Sequence, residues 1–338
     1  MSGDSVSPST INMGRMAEVV PLRAFVIRDL RNYKIRRVLS RVITVWPRTD
    51  RTEFPSVYVG IVSHSLALCP SKSCKPRQSQ AMSTIETPSL PQEFLDQALQ
   101  LEDVSHRVRW YMCAVVNLSS MGYPDVIPQV YEHLDVNLLS TLPSNQARKQ
   151  VLNQVREALI KSTGIVGAGR TGNAMRTLSG CIPEEFREAD APRAMEDDRT
   201  ARERGKKFWT NIYARNPAFD PGASVRASPD YAFVVRGVCL IQYDQDSWLT
   251  SFSTIDVLYA RVFSYDGILD DLTTGFVMVS GLYGLDCQNQ LQHHMKGMLW
   301  NGATRQDLLD LQKLCLGIAE ILNVKFRHPP APIPVLPE

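Results

Sequence analysis

From Leu90 onward, apolar residues recur at intervals of three and four, and this period constrains the fold more than any other feature. The clearest stripes lie in residues 103–121, 144–163 and 304–324. Such spacing places the apolar side chains on one face of an α-helix, whereas a strand would need strict alternation. Sustained alternation is absent from the sequence, so we predict an all-α fold.

Cap residues mark several helix starts. Ser144 precedes one stripe, Ser228-Pro229 combines a cap with proline at the first helical position, and Thr304 with Asp307 forms a capping-box pattern. Further helices are predicted over 124–134, 192–215, 247–265, 267–284 and 286–300.

A weak internal repeat divides this helical part of the chain. Residues 101–179 and 247–324 each read as a long helix, a polar helix with a histidine and an amphipathic closing helix. We therefore predict two tandem helical modules, 90–215 (including a charged connecting helix) and 228–325. The Pro-rich tail 326–338 is expected to be extended and to lie outside the core.

The first 81 residues differ in character from the rest. They hold 13 basic and 5 acidic residues, a balance of +8, whereas the remaining 24 basic and 30 acidic residues give −6. They also lack a coherent period, and we expect a disordered or poorly structured basic extension. A targeting peptide remains open, as does a start codon assigned too far upstream, because Met82 reads like a natural start.

Composition excludes several classes of function. No apolar run approaches the ~20 residues that span a bilayer, so no membrane partner is expected. The seven cysteines are scattered without metal-type spacing, which favours a reduced, intracellular protein with no metal or other cofactor. The helical part is acidic, so nucleic-acid binding is not expected. We predict a cytoplasmic location, with the mitochondrion as the alternative.

One glycine motif matches a dinucleotide-binding pattern in its residues but not in its predicted structural context. Gly167, Gly169 and Gly172 match G-x-G-x-x-G. That fingerprint needs a buried strand before it and a βαβ unit around it, and the sequence offers neither. We interpret the run as a helix end at Gly164, a tight turn and close helix packing at Gly172.

The main candidate catalytic side chains are concentrated in residues 285–304. Cys287, Gln290 and His294 are spaced three and four residues apart, so they share one face of a helix. A titratable stripe on an otherwise apolar helix is a candidate site. The helix then stops at Asn301-Gly302.

This spacing, followed by Asn-Gly-Ala-Thr and an amphipathic helix, resembles the carboxymuconolactone decarboxylase and alkylhydroperoxidase D-like group. In the peroxidase branch the resemblance places the first cysteine at Cys287, the second at Gln290 and the histidine at His294. In the decarboxylase branch a Glu falls at position 290. Neither second reactive group is present in this chain. The resemblance implies tandem helical modules, a small-molecule substrate and a homo-oligomer.

Three functions follow as hypotheses. The first is a cofactor-independent lyase or isomerase with His294 as general acid and base near its ordinary pKa of ~6.5. The second is a thiol peroxidase whose Cys287 thiolate is favoured by the helix N-terminus. The third is a non-catalytic helical assembly or binding module. Lesser candidates are a carboxylate at Asp270 or Asp271 (which we interpret as helix caps), Tyr283, Lys296, and His133 as a degenerate counterpart of His294.

Overall fold

The structure of the chain is a computed structural model that describes residues 88–220, 222–236 and 254–336. Within these ranges it contains helices and no β-strand, which confirms the predicted all-α fold. The described residues all belong to one compact unit, residues 79–338. The predicted basic extension 1–81 lies outside them, so that prediction stays open.

The described part of the chain contains eleven α-helices and one π-helix. The described α-helices are α1 (Gln92–Leu95), α2 (Val104–Met121), α3 (Ile127–Asn137), α4 (Asn145–Val166), α5 (Ala168–Cys181), α6 (Asp198–Tyr213), α7 (Ala223–Ala227), α8 (Pro229–Arg236), α9 (Asp271–Gly284), α10 (Gln288–Trp300) and α11 (Arg305–Ile321). A π-helix, Thr254–Phe263, precedes α9. Short 3-10 turns cover Asp96–Gln100, Pro124–Val126, Leu139–Thr141, Glu184–Phe186 and Pro192–Met195.

The predicted caps start the helices where the sequence places them. Ser144 Oγ accepts a hydrogen bond from the backbone of Ala147 at 3.2 Å at the start of α4. Thr304 and Asp307 bond reciprocally at the start of α11, which confirms the capping box. These side chains satisfy backbone donors that the first helical turn leaves without a partner.

The glycine run behaves differently from the prediction. Gly164 lies inside α4, which continues to Val166 and ends at Gly167, where φ is +89°. Only glycine adopts that conformation without strain, so the turn falls three residues later than expected. Gly169 and Gly172 lie within α5. The described residues place a helix, not a strand, before this motif, as we expected.

The two predicted modules share one hydrophobic core. Its buried members come from residues 90–182 and from residues 269–333 alike. In its centre, the Asn117 side chain on α2 donates to the Ser280 carbonyl on α9 at 3.0 Å, with both residues fully buried. Tandem modules therefore stay a prediction, and any such modules would be fused through a common interior.

A buried charged cluster ties the π-helix to α4. Lys161 is fully buried, and its ammonium donates to the carbonyls of Phe263 at 2.5 Å and Tyr265 at 2.7 Å. Its Nζ lies 3.9 Å from the buried Glu157 carboxylate, which also pairs with Arg193. Burial lowers the pKa of Lys161 to about 8, while the Glu157 charge opposes that shift.

Arg204 and Arg261 form further contacts between the π-helix and neighbouring elements. Arg204 on α6 pairs with Glu196 and donates to the Ala260 carbonyl at 3.3 Å. Arg261 pairs with Asp198 and donates to the Glu196 carbonyl at 3.0 Å. The π-helix is thus attached through its backbone carbonyls to cations on neighbouring elements, as well as through apolar packing.

The C-terminal tail departs from the prediction. It lacks regular secondary structure, as expected, but Ala331 and Ile333 are 3% and 8% exposed and belong to the core. The tail packs along α10 and α11 because side chains there bond to its carbonyls. Our placement of the tail outside the core was wrong: proline blocks helix and sheet, yet it leaves carbonyls and apolar side chains free to bind.

The substitution Lys161→Met tests the charged cluster. It removes the donor to two carbonyls and leaves the buried Glu157 with Arg193 alone, so we expect urea unfolding to show a loss of about 3 kcal/mol. Lys206→Met, on the exposed side of α6, is the matched control and should change stability by less than about 0.5 kcal/mol. Equal losses in the two variants would show that the cluster does not stabilise the fold.

Candidate functional site

Helix α6 reaches the site through two close backbone contacts. A Cβ on Gly205 would lie 2.6 Å from the backbone of Ala260 on the π-helix, so only glycine permits this crossing. On the other side, a Cβ on Gly297 of α10 would lie 3.2 Å from the Cα of Ile212 on α6, which is closer than ordinary van der Waals contact. Helix α6 is thereby packed between the π-helix and α10, and its last residue, Tyr213, faces both.

Tyr213 is the centre of a hydrogen-bonded cluster. Its hydroxyl lies 3.2 Å from His294 Nε2 and 3.3 Å from Gln290 Oε1, both on α10. The hydroxyl of Tyr259, on the π-helix, lies 3.2 Å from it. His294 is 3% exposed and Tyr213 6%, whereas Gln290 is exposed. The cluster thus extends from the interior to the protein surface.

One assignment of protons satisfies all three contacts. The Tyr259 hydroxyl and the His294 Nε2–H both donate to the Tyr213 oxygen, and the Tyr213 hydroxyl donates to the Gln290 carbonyl oxygen. The other histidine tautomer would accept the Tyr213 proton at Nε2, leaving Gln290 without it. The first arrangement uses every group, so we favour it.

Burial changes the chemistry of His294. It lowers the pKa of the imidazole from 6.5 to about 3, and the neighbouring His293 adds to the shift. The general acid/base hypothesis assumed a pKa near 6.5, and the site differs because the charged form would lose its hydration there. His294 is therefore neutral near pH 7 and acts as a hydrogen-bonding group, with little imidazolium present.

His293 lies on a different face of α10 from its neighbour His294, as the rotation of a helix predicts. Its Nδ1 accepts a hydrogen bond from the Asn216 side chain, which is itself 4% exposed. The rings of Tyr213 and Phe219 lie 5.8 and 6.0 Å from the imidazole. His293 thus joins the end of α6 to α10, and its pKa is lowered by burial and by Lys296.

Cys287 does not have the features of a reactive thiolate. It precedes the first residue of α10, and its sulfur lies 3.7 Å from the Leu285 carbonyl. Burial raises the pKa of the thiol, and the adjacent Asp286 charge raises it further. Both causes oppose the thiolate that the helix N-terminus was expected to favour. The described cysteines 113, 181, 287 and 315 are all free thiols, and Cys239 lies outside the described residues.

The lesser candidates lie away from Tyr213 or have structural partners. Asp270 caps α9 by accepting from the backbone of Thr273 at 2.7 Å, and Asp271 opens that helix, with its pKa raised by burial. The Tyr283 hydroxyl contacts Met295 Sδ at 3.5 Å and accepts from Gln312 at 3.2 Å. Lys296 enters the site only as a charge near His293.

His133 occupies a comparable setting in the other half. It is 5% exposed, and its Nδ1 lies 2.8 Å from the buried Tyr111 hydroxyl. Its Nε2 lies 3.0 Å from the carboxylate of Asp96. Both histidines are thus buried and contact a tyrosine hydroxyl, but only His133 has a carboxylate partner. Its status as a counterpart of His294 stays a prediction.

The described residues offer neither a metal site nor a membrane span. Among the described residues, no group of three or more histidine, cysteine or acidic side chains could hold a metal ion. No helix in the same part of the chain is both long and apolar enough to cross a bilayer.

Sequence reasoning missed the partners of His294. Tyr213 lies four residues after Trp209 on one face of α6, and this aromatic spacing was visible in the sequence. Tyr259 and Asn216 carry no local signal, because only the tertiary crossing of α6, α10 and the π-helix brings them near the histidines.

Comparison with known proteins gives one similarity. No family model and no solved structure matches the chain significantly. Peroxisomal protein 2 of Schizosaccharomyces pombe is 25% identical over 221 residues, which cover 64% of this chain and 88% of that protein. Its name gives a cellular location and no chemistry, so the resemblance of the α10 region to the decarboxylase group stays a prediction.

The depressed pKa of His294 predicts a pH dependence. Between pH 6.5 and 3 the unfolded chain binds a proton at this residue and the folded chain does not, so stability falls as the pH is lowered. We expect a contribution of about 2 kcal/mol between pH 7 and pH 5. In His294→Gln, the free energy of unfolding, measured with denaturant at pH 7 and at pH 5, should no longer show this difference. An equal change in the free energy of unfolding between pH 7 and pH 5 for variant and wild type would contradict a buried neutral imidazole.

Proposed function

We propose that the chain is a cofactor-independent enzyme that stabilises an enolate in a decarboxylation or isomerisation of a small organic substrate. The observation that supports this is the convergence of His294, Gln290 and Tyr259 on the Tyr213 hydroxyl within 3.2–3.3 Å. Neutral hydrogen-bond donors in a water-poor site suit an anion that develops on a carbonyl oxygen.

Decarboxylation of a β-keto acid or related lactone requires little else. The bond to the carboxylate carbon breaks, carbon dioxide leaves, and the electron pair passes to the carbonyl oxygen as an enolate. The Tyr213 hydroxyl would donate to that oxygen, with its own orientation held by Tyr259 and His294. A proton from solvent then completes the product.

A substrate would reach the Tyr213 hydroxyl by displacing the Gln290 side chain. This side chain is exposed and bonds Tyr213 through a single 3.3 Å contact, so a substrate carbonyl could replace its amide oxygen. The decarboxylase branch has Glu at this position. On our proposal the neutral Gln290 amide suits the displacement, because it can move away from the Tyr213 hydroxyl without moving a charge.

A non-catalytic binding module is the second candidate, favoured by the 3% exposure of His294. In that case the hydrogen-bonded cluster serves to fix α6 against α10. The peroxidase is supported less, because the pKa of the Cys287 thiol is raised and position 290 offers no second thiol. A homo-oligomer stays a prediction in every case.

For location, we propose the peroxisome, because the similar yeast protein is named for that compartment. This proposal replaces our first choice, the cytoplasm, and leaves the mitochondrion without support.

Activity can be tested with carboxymuconolactone, the substrate class that the resemblance implies, by measuring released carbon dioxide. We expect turnover to fall by about a hundredfold or more in Tyr213→Phe, which loses the donor to the enolate oxygen, and by about tenfold or more in His294→Gln, which loses only the orientation of that donor. Tyr131→Phe, at a buried tyrosine of the other half, should retain wild-type turnover. The circular dichroism of each variant checks its fold.

Two outcomes would contradict the proposal. Wild-type rates in folded His294→Gln and Tyr213→Phe would remove both residues from the mechanism. Failure of the wild type to decarboxylate carboxymuconolactone, together with failure to exchange the α-protons of β-keto acids with deuterium oxide, would favour the binding module.

Location is tested by imaging a fluorescent fusion beside a peroxisomal matrix marker. We expect the two signals to coincide in punctate bodies. A diffuse signal, with the fluorophore placed in turn at either end, would restore the cytoplasmic prediction.

A further inference from the structure

The C-terminal tail is bound to the helices as an extended peptide would be. Ala331, Ile333 and Pro334 are buried, while Pro332 and Val335 are exposed. The tail therefore inserts particular side chains and keeps others in solvent. Proline at 332 and 334 restricts the backbone to extended conformations, which lowers the entropy lost on binding.

The helices bind the tail through its carbonyl groups. Gln312 donates to the Ala331 carbonyl at 2.8 Å, Gln292 to the Pro332 carbonyl at 2.6 Å, and Arg305 to the Ile333 carbonyl at 3.3 Å. These donors lie on α10 and α11 and contact three consecutive residues. Proline lacks an N–H but keeps its carbonyl, so this pattern of donors suits a proline-containing peptide.

Asp286 anchors the segment that leads into the tail. Its carboxylate accepts from the backbone of Arg327 at 2.8 Å, from the backbone of His328 at 3.3 Å and from the His328 ring at 2.9 Å. Asp286 has a φ of +56°, a conformation that non-glycine residues rarely adopt. This contact keeps the tail close to the groove between α10 and α11.

We propose that this groove is a binding site for extended peptides of the type apolar–Pro–apolar–Pro, and that the tail is its internal ligand. The donors recognise the backbone, while positions 331 and 333, two of the three buried positions, select small and branched apolar side chains. A flexible segment of another protein with this pattern would bind there once the tail has been released. This inference is independent of the proposed enzymatic function.

Tethering makes the tail a strong competitor. A covalently attached ligand has an effective concentration that free peptide rarely reaches, so the intact groove stays filled. Binding from outside is therefore measurable only when the chain's own tail is weakened. This consideration sets the design of the experiment.

The experiment uses the full chain with Ala331→Asp and Ile333→Asp together, which places charges at two of the buried positions and releases the tail. The probe is a fluorescently labelled peptide of residues 326–338, measured by anisotropy. We expect it to bind the released-tail chain at least tenfold more tightly than the wild-type chain. The same peptide carrying Ile333→Asp should bind the released-tail chain at least tenfold more weakly.

A groove variant identifies the site. Added to the released-tail chain, Gln312→Leu should weaken peptide binding at least fivefold, whereas Gln306→Leu, at an exposed position of α11, should leave it unchanged. Equal binding to wild-type and released-tail chains would overturn the proposal. Absent binding to a released-tail chain that keeps its helical circular dichroism, or binding insensitive to Gln312→Leu, would also overturn it.

Discussion

The buried ammonium of Lys161 is the contact on which the candidate site depends. It donates to the carbonyls of Phe263, at the end of the π-helix, and of Tyr265, two residues later, from a position with no exposure to solvent. A buried cation is costly unless it is paired, and here Glu157 and the two carbonyls compensate for the lost hydration. Through this contact α4 determines where the π-helix lies, and the π-helix carries Tyr259 to the site.

Close helix packing then converts this placement into a site. The crossing at Gly205 brings α6 against the π-helix, and the crossing at Gly297 brings α10 against α6. Tyr213 at the end of α6 consequently meets a phenol from one neighbour and an imidazole from the other. The same burial that assembles the cluster removes the charge of His294, so its chemistry is that of neutral donors and acceptors.

Local rules predicted the helices well and the site only in part. Caps such as Ser144 and Thr304 act through neighbouring backbone groups, so the sequence reveals them directly. The face shared by Gln290 and His294 follows from helical geometry alone. Tyr259 and the docked tail were not predictable, because both depend on contacts between residues distant in sequence. The reduced basicity of His294 likewise depends on burial, which spacing does not encode.

The common core has a consequence for synthesis of the chain on the ribosome. Residues 90–182 bury their apolar faces against residues 269–333, which are translated later. The apolar surface of the earlier helices therefore stays exposed until residues 269–333 have emerged from the ribosome. Nascent chains in that condition are the ones that chaperones hold and that aggregate when chaperones are scarce. We expect this shared core to form only once residues 269–333 are available, as a single late event.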